Sequence, residues 1–352
     1  MRSLLAVAVL AVAVSCLTLQ GCHDPGGGQD AGPDGGECLD PDGVASWSGS
    51  PPLTLSATGL YQDIGTRTLA DGVRRFTPGY ELWSDGAQKT RWVKLPPCGT
   101  VDTSDMDHWM VPVGTRLWKE FAIGGQVVET RLIARTGTSA GNDWLFAAYQ
   151  WDALGTAGAQ LVIGGVPNAN GTEHDIPSVS QCGLCHGTLP EHVLGFSAIQ
   201  LSHPASSGNA GEVSLEALAA EGKLSAAPAD GGYPVPGDDT TAHALGYLHA
   251  NCGNCHHPAG IAFDTTPFSL RLEVGQRTPQ ETSAWLTAVG VPVEKYFRPG
   301  ITDRIAPGNP DASCVSARIS RRGPGEQMPP LATEYVDDAG VAAVNAWIRS
   351  LP

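Results

Sequence analysis

The chain has 352 residues, enough for two or three domains of ordinary size, which excludes a miniprotein held together by disulfides alone. Only 16% of its residues are charged, and 44 Gly with 27 Pro make loops plentiful, yet 41% hydrophobic content and nine Trp exclude wholesale disorder. A net charge of −15 removes the counterion-release energy on which nucleic-acid binding rests, so no nucleic-acid partner is expected.

Residues 1–21 read as an export signal: a basic start at Arg2, then an apolar run from Leu4 to Val14 that is too short to span a bilayer. The run leads to Leu19-Gln20-Gly21-Cys22, which resembles the lipobox of bacterial lipoproteins and implies a lipid anchor on Cys22; plain secretion is the alternative. Loss of residues 1–21 would remove Arg2 and no acid, taking the charge to −16. His23 to Gly43 holds seven Gly and six acidic residues without Lys or Arg, so residues 22–46 are expected to be a flexible acidic tether. Together these place the chain outside the cytoplasm, lipid-anchored in the cell envelope and facing the periplasm or the exterior, where cysteines can be oxidised.

Residues 47–170 alternate short apolar runs with turn residues. Thr90–Leu95, Arg116–Ala122, Val127–Ala134, Trp144–Trp151 and Gln160–Ile163 are predicted strands. Seven of the nine Trp lie here, which points to a Trp-rich antiparallel sandwich or barrel with the indoles as core; a carbohydrate platform is the alternative. Gly137-Thr138-Ser139-Ala140-Gly141 matches the nucleophile-elbow pattern but joins two strands, so it is read as a hairpin turn.

Past Pro177 the pattern becomes helical. Ser214 starts a short Ala/Leu-rich helix stopped by Gly222, Thr278-Pro279-Gln280-Glu281 is a capping box closed at Gly290, and Val341, Val344, Trp347, Ile348 and Leu351 recur at helical spacing. The expected class is therefore α+β, an N-terminal β domain followed by a mainly α, cytochrome c-like region. Residues 171–235 form a first segment and 236–352 a second.

Each of these segments carries one copy of a strong motif: Cys182-Gly183-Leu184-Cys185-His186 and Cys252-Gly253-Asn254-Cys255-His256. Cys-x-x-Cys-His is the attachment sequence of c-type haem, because on one helical turn two thiols can form thioethers with the haem vinyls while the next imidazole meets the iron. Zinc is the competitor, but 66 residues separate Cys185 from Cys252, far more than between the paired cysteines of a zinc ribbon, and zinc needs no His after each pair. Two covalent haems are expected, with His186 and His256 as iron ligands. Met328, between Gln327 and the pair Pro329-Pro330, is expected to be the second ligand of the iron at His256, since the prolines bar a helix there. The sixth ligand of the iron at His186 stays open among His192, His203, His174, Met106, Met110 and none. His249 is expected beside the second haem. Of the cysteines left over, Cys38 and Cys98 can form a disulfide, and Cys314 is expected to be a buried small hydrophobe.

From about Tyr80 onward the chain also resembles the uncharacterised bacterial di-haem c-type cytochromes, whose C-terminal haem module recurs beside quinoprotein-type sugar dehydrogenase domains. The resemblance rests on Tyr80-Glu81-Leu82-Trp83-Ser84-Asp85-Gly86, Val111-Pro112-Val113-Gly114-Thr115, Leu194-Gly195-Phe196, Tyr247-Leu248-His249-Ala250-Asn251-Cys252, Ala306-Pro307-Gly308-Asn309-Pro310 and Gln327-Met328-Pro329-Pro330-Leu331. It implies two haems, ligation by His256 and Met328, an envelope location and electron transfer, with no established substrate. The expected role is electron transfer to a redox partner that offers a basic docking face to this acidic chain. A di-haem peroxidase, a haem subunit of a periplasmic dehydrogenase, and a glycan-binding β domain carrying a cytochrome are the rivals.

Overall fold

A computed structural model describes residues 42–47, 50–137, 143–203, 211–331 and 333–352. The export signal, Cys22 and nearly all of the tether lie outside these residues, as does Cys38. The fold is α+β. Eight strands come first: β1 (Tyr61–Asp63), β2 (Thr68–Leu69), β3 (Arg74–Phe76), β4 (Gln88–Lys94), β5 (Arg116–Ile123), β6 (Gln126–Arg135), β7 (Trp144–Trp151) and β8 (Ala159–Val162). Seven helices follow: α1 (Val179–His186), α2 (Ala198–Leu201), α3 (Leu215–Ala220), α4 (Asp239–Asn251), α5 (Ser283–Ala288), α6 (Cys314–Ile319) and α7 (Asp338–Ser350).

Strands β3 to β8 make one antiparallel sheet in sequence order, and β1 pairs with β2 in a separate small sheet. The expected sandwich or barrel thus takes the form of an open six-stranded meander beside a two-stranded hairpin. The five predicted strands are β4 to β8 with ends moved by a residue or two, whereas β1 to β3, two or three residues each, are too short to show a period. Arg135 pairs with Trp144 across β6 and β7, which makes the elbow-like segment a hairpin connection; residues 138–142 at its tip lie outside the described residues.

Strand alternation gives the sheet two different faces. Trp92, Trp118, Leu132 and Ala147 stand in one cross-strand row, and with Tyr61, Tyr149 and Trp151 they fill the core beneath the β1–β2 hairpin. Trp118 and Trp151 are each 1% exposed, and their indole N–H groups donate to Thr58 Oγ1 at 3.0 Å and to Thr130 Oγ1 at 2.9 Å. These indoles are core rather than a platform. The other face receives the helical half: Val93, Leu117, Trp109 and Phe76 pack against Val193, Phe196, Leu201 and Leu218.

The C-terminal helices enclose their own core, with Leu245 and Leu248 of α4 against Val344, Trp347 and Ile348 of α7 and against Phe268, Leu270 and Leu272 of the loop between. Two glycines set how closely these parts approach. A Cβ on Gly246 would lie 2.0 Å from the Tyr80 ring, and one on Gly340 would lie 2.2 Å from the Tyr247 ring. Tyr80 therefore lies flat on α4, and Tyr247 of α4 lies flat on α7. Gly246→Ala should lower stability by about 1–3 kcal/mol through overpacking, even though Ala favours the helix, as read by denaturant unfolding.

Candidate functional site

The first motif occupies the last two turns of α1, which Ser178 and Gln181 start with a capping box. Cys182, Cys185 and His186 fall at positions i, i+3 and i+4, so one helix face carries both thiols and the imidazole. The His186 ring lies against Phe146, with centroids 5.4 Å apart, and its Nδ1–H donates to the His192 carbonyl at 2.7 Å. His192 returns the bond, Nδ1 to the His186 carbonyl at 2.5 Å, from a left-handed backbone at φ 52° that turns the chain back past Pro190. A donor commitment at Nδ1 leaves the lone pair on Nε2, the arrangement of a metal-binding imidazole oriented by a second shell. Burial holds the His186 pKa down at about 4, with the charges of Lys119 and Arg131 adding to the shift, so the ring is neutral near pH 7.

The second motif follows α4, whose N-cap Asp238 accepts from Thr241 N–H at 2.8 Å. Cys252 closes the helix, and the N–H groups of Cys255 and His256 return to its carbonyl at 3.0 and 2.9 Å, which makes one further tight turn. The loop at residues 268–270 holds His256 twice: Phe268 packs on its ring at 4.4 Å, and Leu270 N–H donates to its carbonyl at 2.9 Å. Burial lowers the His256 pKa to about 4, helped by Arg318, His257 and Arg304. Its Nδ1 is buried with no hydrogen-bond partner in the protein, a costly state for a polar atom. Burial pushes the Cys252 thiol up to about 12.

Met328 sits in a loop outside regular structure, as its proline pair predicts. Its N–H donates to the Arg318 carbonyl at 3.0 Å, and the Gln327 side chain ties the loop to Gly323 N–H, Pro329 O and Thr333 O. Arg318 also adds to the lowering of the His256 pKa, which places its charge near the second imidazole. The segment 80–86 fastens both from the other side. Asn251, just before Cys252, accepts from Trp83 N–H at 2.7 Å and donates to Glu81 O, while Asp85 accepts from Thr333 Oγ1 and from the N–H groups of Glu334 and Tyr335 at 2.9–3.0 Å.

The two motifs meet. The thiols of Cys185 and Cys255 are in hydrogen-bonding contact, which with Arg131 and Lys119 brings Cys185 down to about 7 and pushes Cys255 up. Thr188 Oγ1 lies 3.3 Å from His257 Nε2. Beside them the buried Glu191 carboxylate accepts from Arg271 at 2.7 Å and pairs with His108 Nδ1 at 2.9 Å, and Arg271 also reaches the Asp107 carbonyl at 3.1 Å. The β-domain loop at 105–109, the first motif segment and the second motif segment are joined at this one carboxylate. Under α1 the sheet presents Arg91, Lys119 and Arg131 directly opposite one another on β4, β5 and β6, an unfavourable row of like charges. Arg131 is offset by the buried Glu129, which holds it with both oxygens, and burial pushes Lys119 well below its ordinary value.

Most of the open candidates for a further ligand at His186 are engaged elsewhere. His174 Nε2 bonds Glu129 at 2.7 Å, His203 Nε2 donates to Thr77 O at 2.7 Å, and Met106 Sδ accepts from Trp109 at 3.3 Å. His192 stands on the Nδ1 side of His186. His249, near the second motif, is held by the loop at residues 268–272, its Nδ1 accepting the Leu272 N–H at 3.0 Å. Cys98 is disulfide-bonded, with its partner outside the described residues, and Cys314 is free and half-buried at the start of α6. Among the described residues no three or more His, Cys, Asp or Glu side chains are gathered to hold a metal ion, so the four motif thiols do not form a zinc cage. Haem asks for less: thioether sulfurs on a helical turn and one or two axial ligands, and the neutral imidazoles with a free lone pair fit it. Sequence reasoning missed Glu191, Arg271, His108 and the row of cations, because no local pattern marks them. Comparison with protein-family models, with curated proteins and with solved structures finds no match.

Two outcomes follow from these contacts. Glu191→Ala leaves Arg271 unpaired in the interior and should cost about 3–5 kcal/mol in denaturant unfolding, with Glu191→Gln costing less. Burial, then Arg271, lowers the His249 pKa from 6.5 to about 3, so the unfolded chain takes up this proton first as pH falls. Its contribution to stability is whole above about pH 6.5 and is lost as pH falls toward 3. Unfolding measured across that range should show a shallower decline for His249→Asn, which keeps an acceptor that does not titrate.

Proposed function

We propose that this chain is a di-haem c-type cytochrome, lipid-anchored through Cys22 in a bacterial cell envelope, that transfers electrons to or from a redox partner. The observation that carries the reading is His186: a neutral, half-buried imidazole directly after two half-buried thiols, with Nδ1 spent on a backbone carbonyl and Nε2 left for iron. Bound haem would supply a one-electron iron couple at each motif. Cys182 and Cys185 would anchor one macrocycle, and Cys252 and Cys255 the other. His186 and His256 would hold the irons, while Phe146 and Phe268 pack on their rings and Trp144 packs on the neighbouring His192. Met328 would present its thioether to the second iron from a loop braced by Gln327, Arg318 and Asp85. The acidic surface favours a partner with a basic docking face. No helix among the described residues is long and apolar enough to cross a membrane, and the anchor of this reading is the lipid on Cys22.

A second reading has one observation in its favour. His174, His203 and Met106 are committed elsewhere, which suits an iron at His186 with an open position and small-ligand or peroxide chemistry there. A high-spin component that reacts rapidly with peroxide would select it; two low-spin haems inert to peroxide would select the carrier.

Expressed with haem-attachment machinery, the protein should give a pyridine haemochrome yield of two haems per chain, falling to one when Cys182 and Cys185, or Cys252 and Cys255, are both replaced by Ala. A yield near zero overturns the proposal. Met328→Leu should abolish the near-infrared methionine-to-iron charge-transfer band without loss of haem, and Asp85→Ala should weaken that band by loosening the loop at its far end.

A further inference from the structure

We propose that Cys185 and Cys255 form a sulfur-to-sulfur junction between the two haem sites, so that the pair exchanges electrons directly through its thioether edges. This rests on the di-haem reading and goes beyond it, since two haems on one chain need not touch. The starting observation is that the two motifs meet at their second cysteines: Thr188 Oγ1 lies 3.3 Å from His257 Nε2, Arg271 pairs with Glu191 at 2.7 Å, and Cys185 and Cys255, 70 positions apart in sequence, lie side by side there. A thioether sulfur is bonded to the carbon that joins it to the porphyrin edge, so two such sulfurs in contact bring two macrocycle edges to the same spot. The first thiol is differently placed: Cys182 is hydrogen-bonded at its own helix, to the Ser178 carbonyl at 3.7 Å.

The junction is built to stay closed. Thr188, three residues beyond Cys185, and His257, two beyond Cys255, are 3.3 Å apart. The buried Glu191–Arg271 pair clamps the same two segments at 2.7 Å. The exchange moves one electron: the site that gives it is oxidised by one unit, the site that takes it is reduced by one, and no bond or proton changes place.

The test is visible circular dichroism of the holoprotein. Two macrocycles in close contact give a two-signed Soret couplet, whereas separate haems give the sum of two single bands. The wild-type couplet is compared with the summed spectra of the two single-haem proteins described above. Cys185→Ala and Cys182→Ala are then compared, because each leaves one thioether and His186 to retain the first haem, but only Cys185→Ala removes the junction sulfur. The expected result is a couplet absent from the sum, a loss of amplitude in Cys185→Ala larger than in Cys182→Ala, and slower re-equilibration between the haems after flash reduction in Cys185→Ala. Two haems per chain with a wild-type spectrum equal to the sum overturns the junction and leaves the di-haem reading intact. A yield of no covalent haem overturns both. If Cys185→Ala fails to retain haem, Cys255→Ala against Cys252→Ala makes the same comparison from the other motif, and equal losses there overturn the junction.

Discussion

A carboxylate buried at Glu191 is the constraint on which the arrangement of both motifs depends. Taking such a charge out of water is expensive, and it is tolerable here because Arg271 and His108 meet its two oxygens from two other parts of the chain. The three partners cannot separate without stranding a charge. The β-domain loop, the first motif segment and the second motif segment are therefore fixed relative to one another by electrostatics at one point, and the contact between Cys185 and Cys255 is a consequence.

The same logic recurs at lower strength around the second motif. Segment 80–86 contributes no thiol or imidazole, yet it holds Asn251 on one side and the chain after Met328 on the other. Tyr80 and Tyr247 pack where glycines leave no room for a side chain, so the position of α4, and of Cys252 at its end, is set by ring thickness. In the proposed cytochrome these contacts hold the methionine loop and the end of α4 in place, a requirement for stable ligation of one iron from two distant stretches of sequence.

The long strands and the cap-marked helices were legible because their signals are local. Period-2 alternation located β4 to β8, and Ser214, Thr278 and the apolar stripe from Val341 to Leu351 located α3, the turn before α5, and α7. Strands β1 to β3 escaped for want of length. The Trp-rich half was legible as a core but not as an open meander, because the choice between closing a sheet and leaving it open depends on how edge strands are covered. Of the site, the two motifs and the Met328 loop were visible as residue types at fixed spacing. The commitment of the other candidate side chains was not, since His174, His203 and Met106 are held by partners 45, 126 and 3 residues away.

The sequence by itself determined the α+β class, the order of the two halves and the two groups of thiol, thiol and imidazole, because each is written in short-range spacing. Tertiary structure alone decided that the two groups touch through their second cysteines, that His186 is oriented by a carbonyl while His256 keeps an orphaned nitrogen, and that a row of cations lies beneath the first group. Those features depend on register between strands and on a buried ion pair between segments 80 residues apart, and such pairings are set by three-dimensional packing rather than by any neighbouring residue.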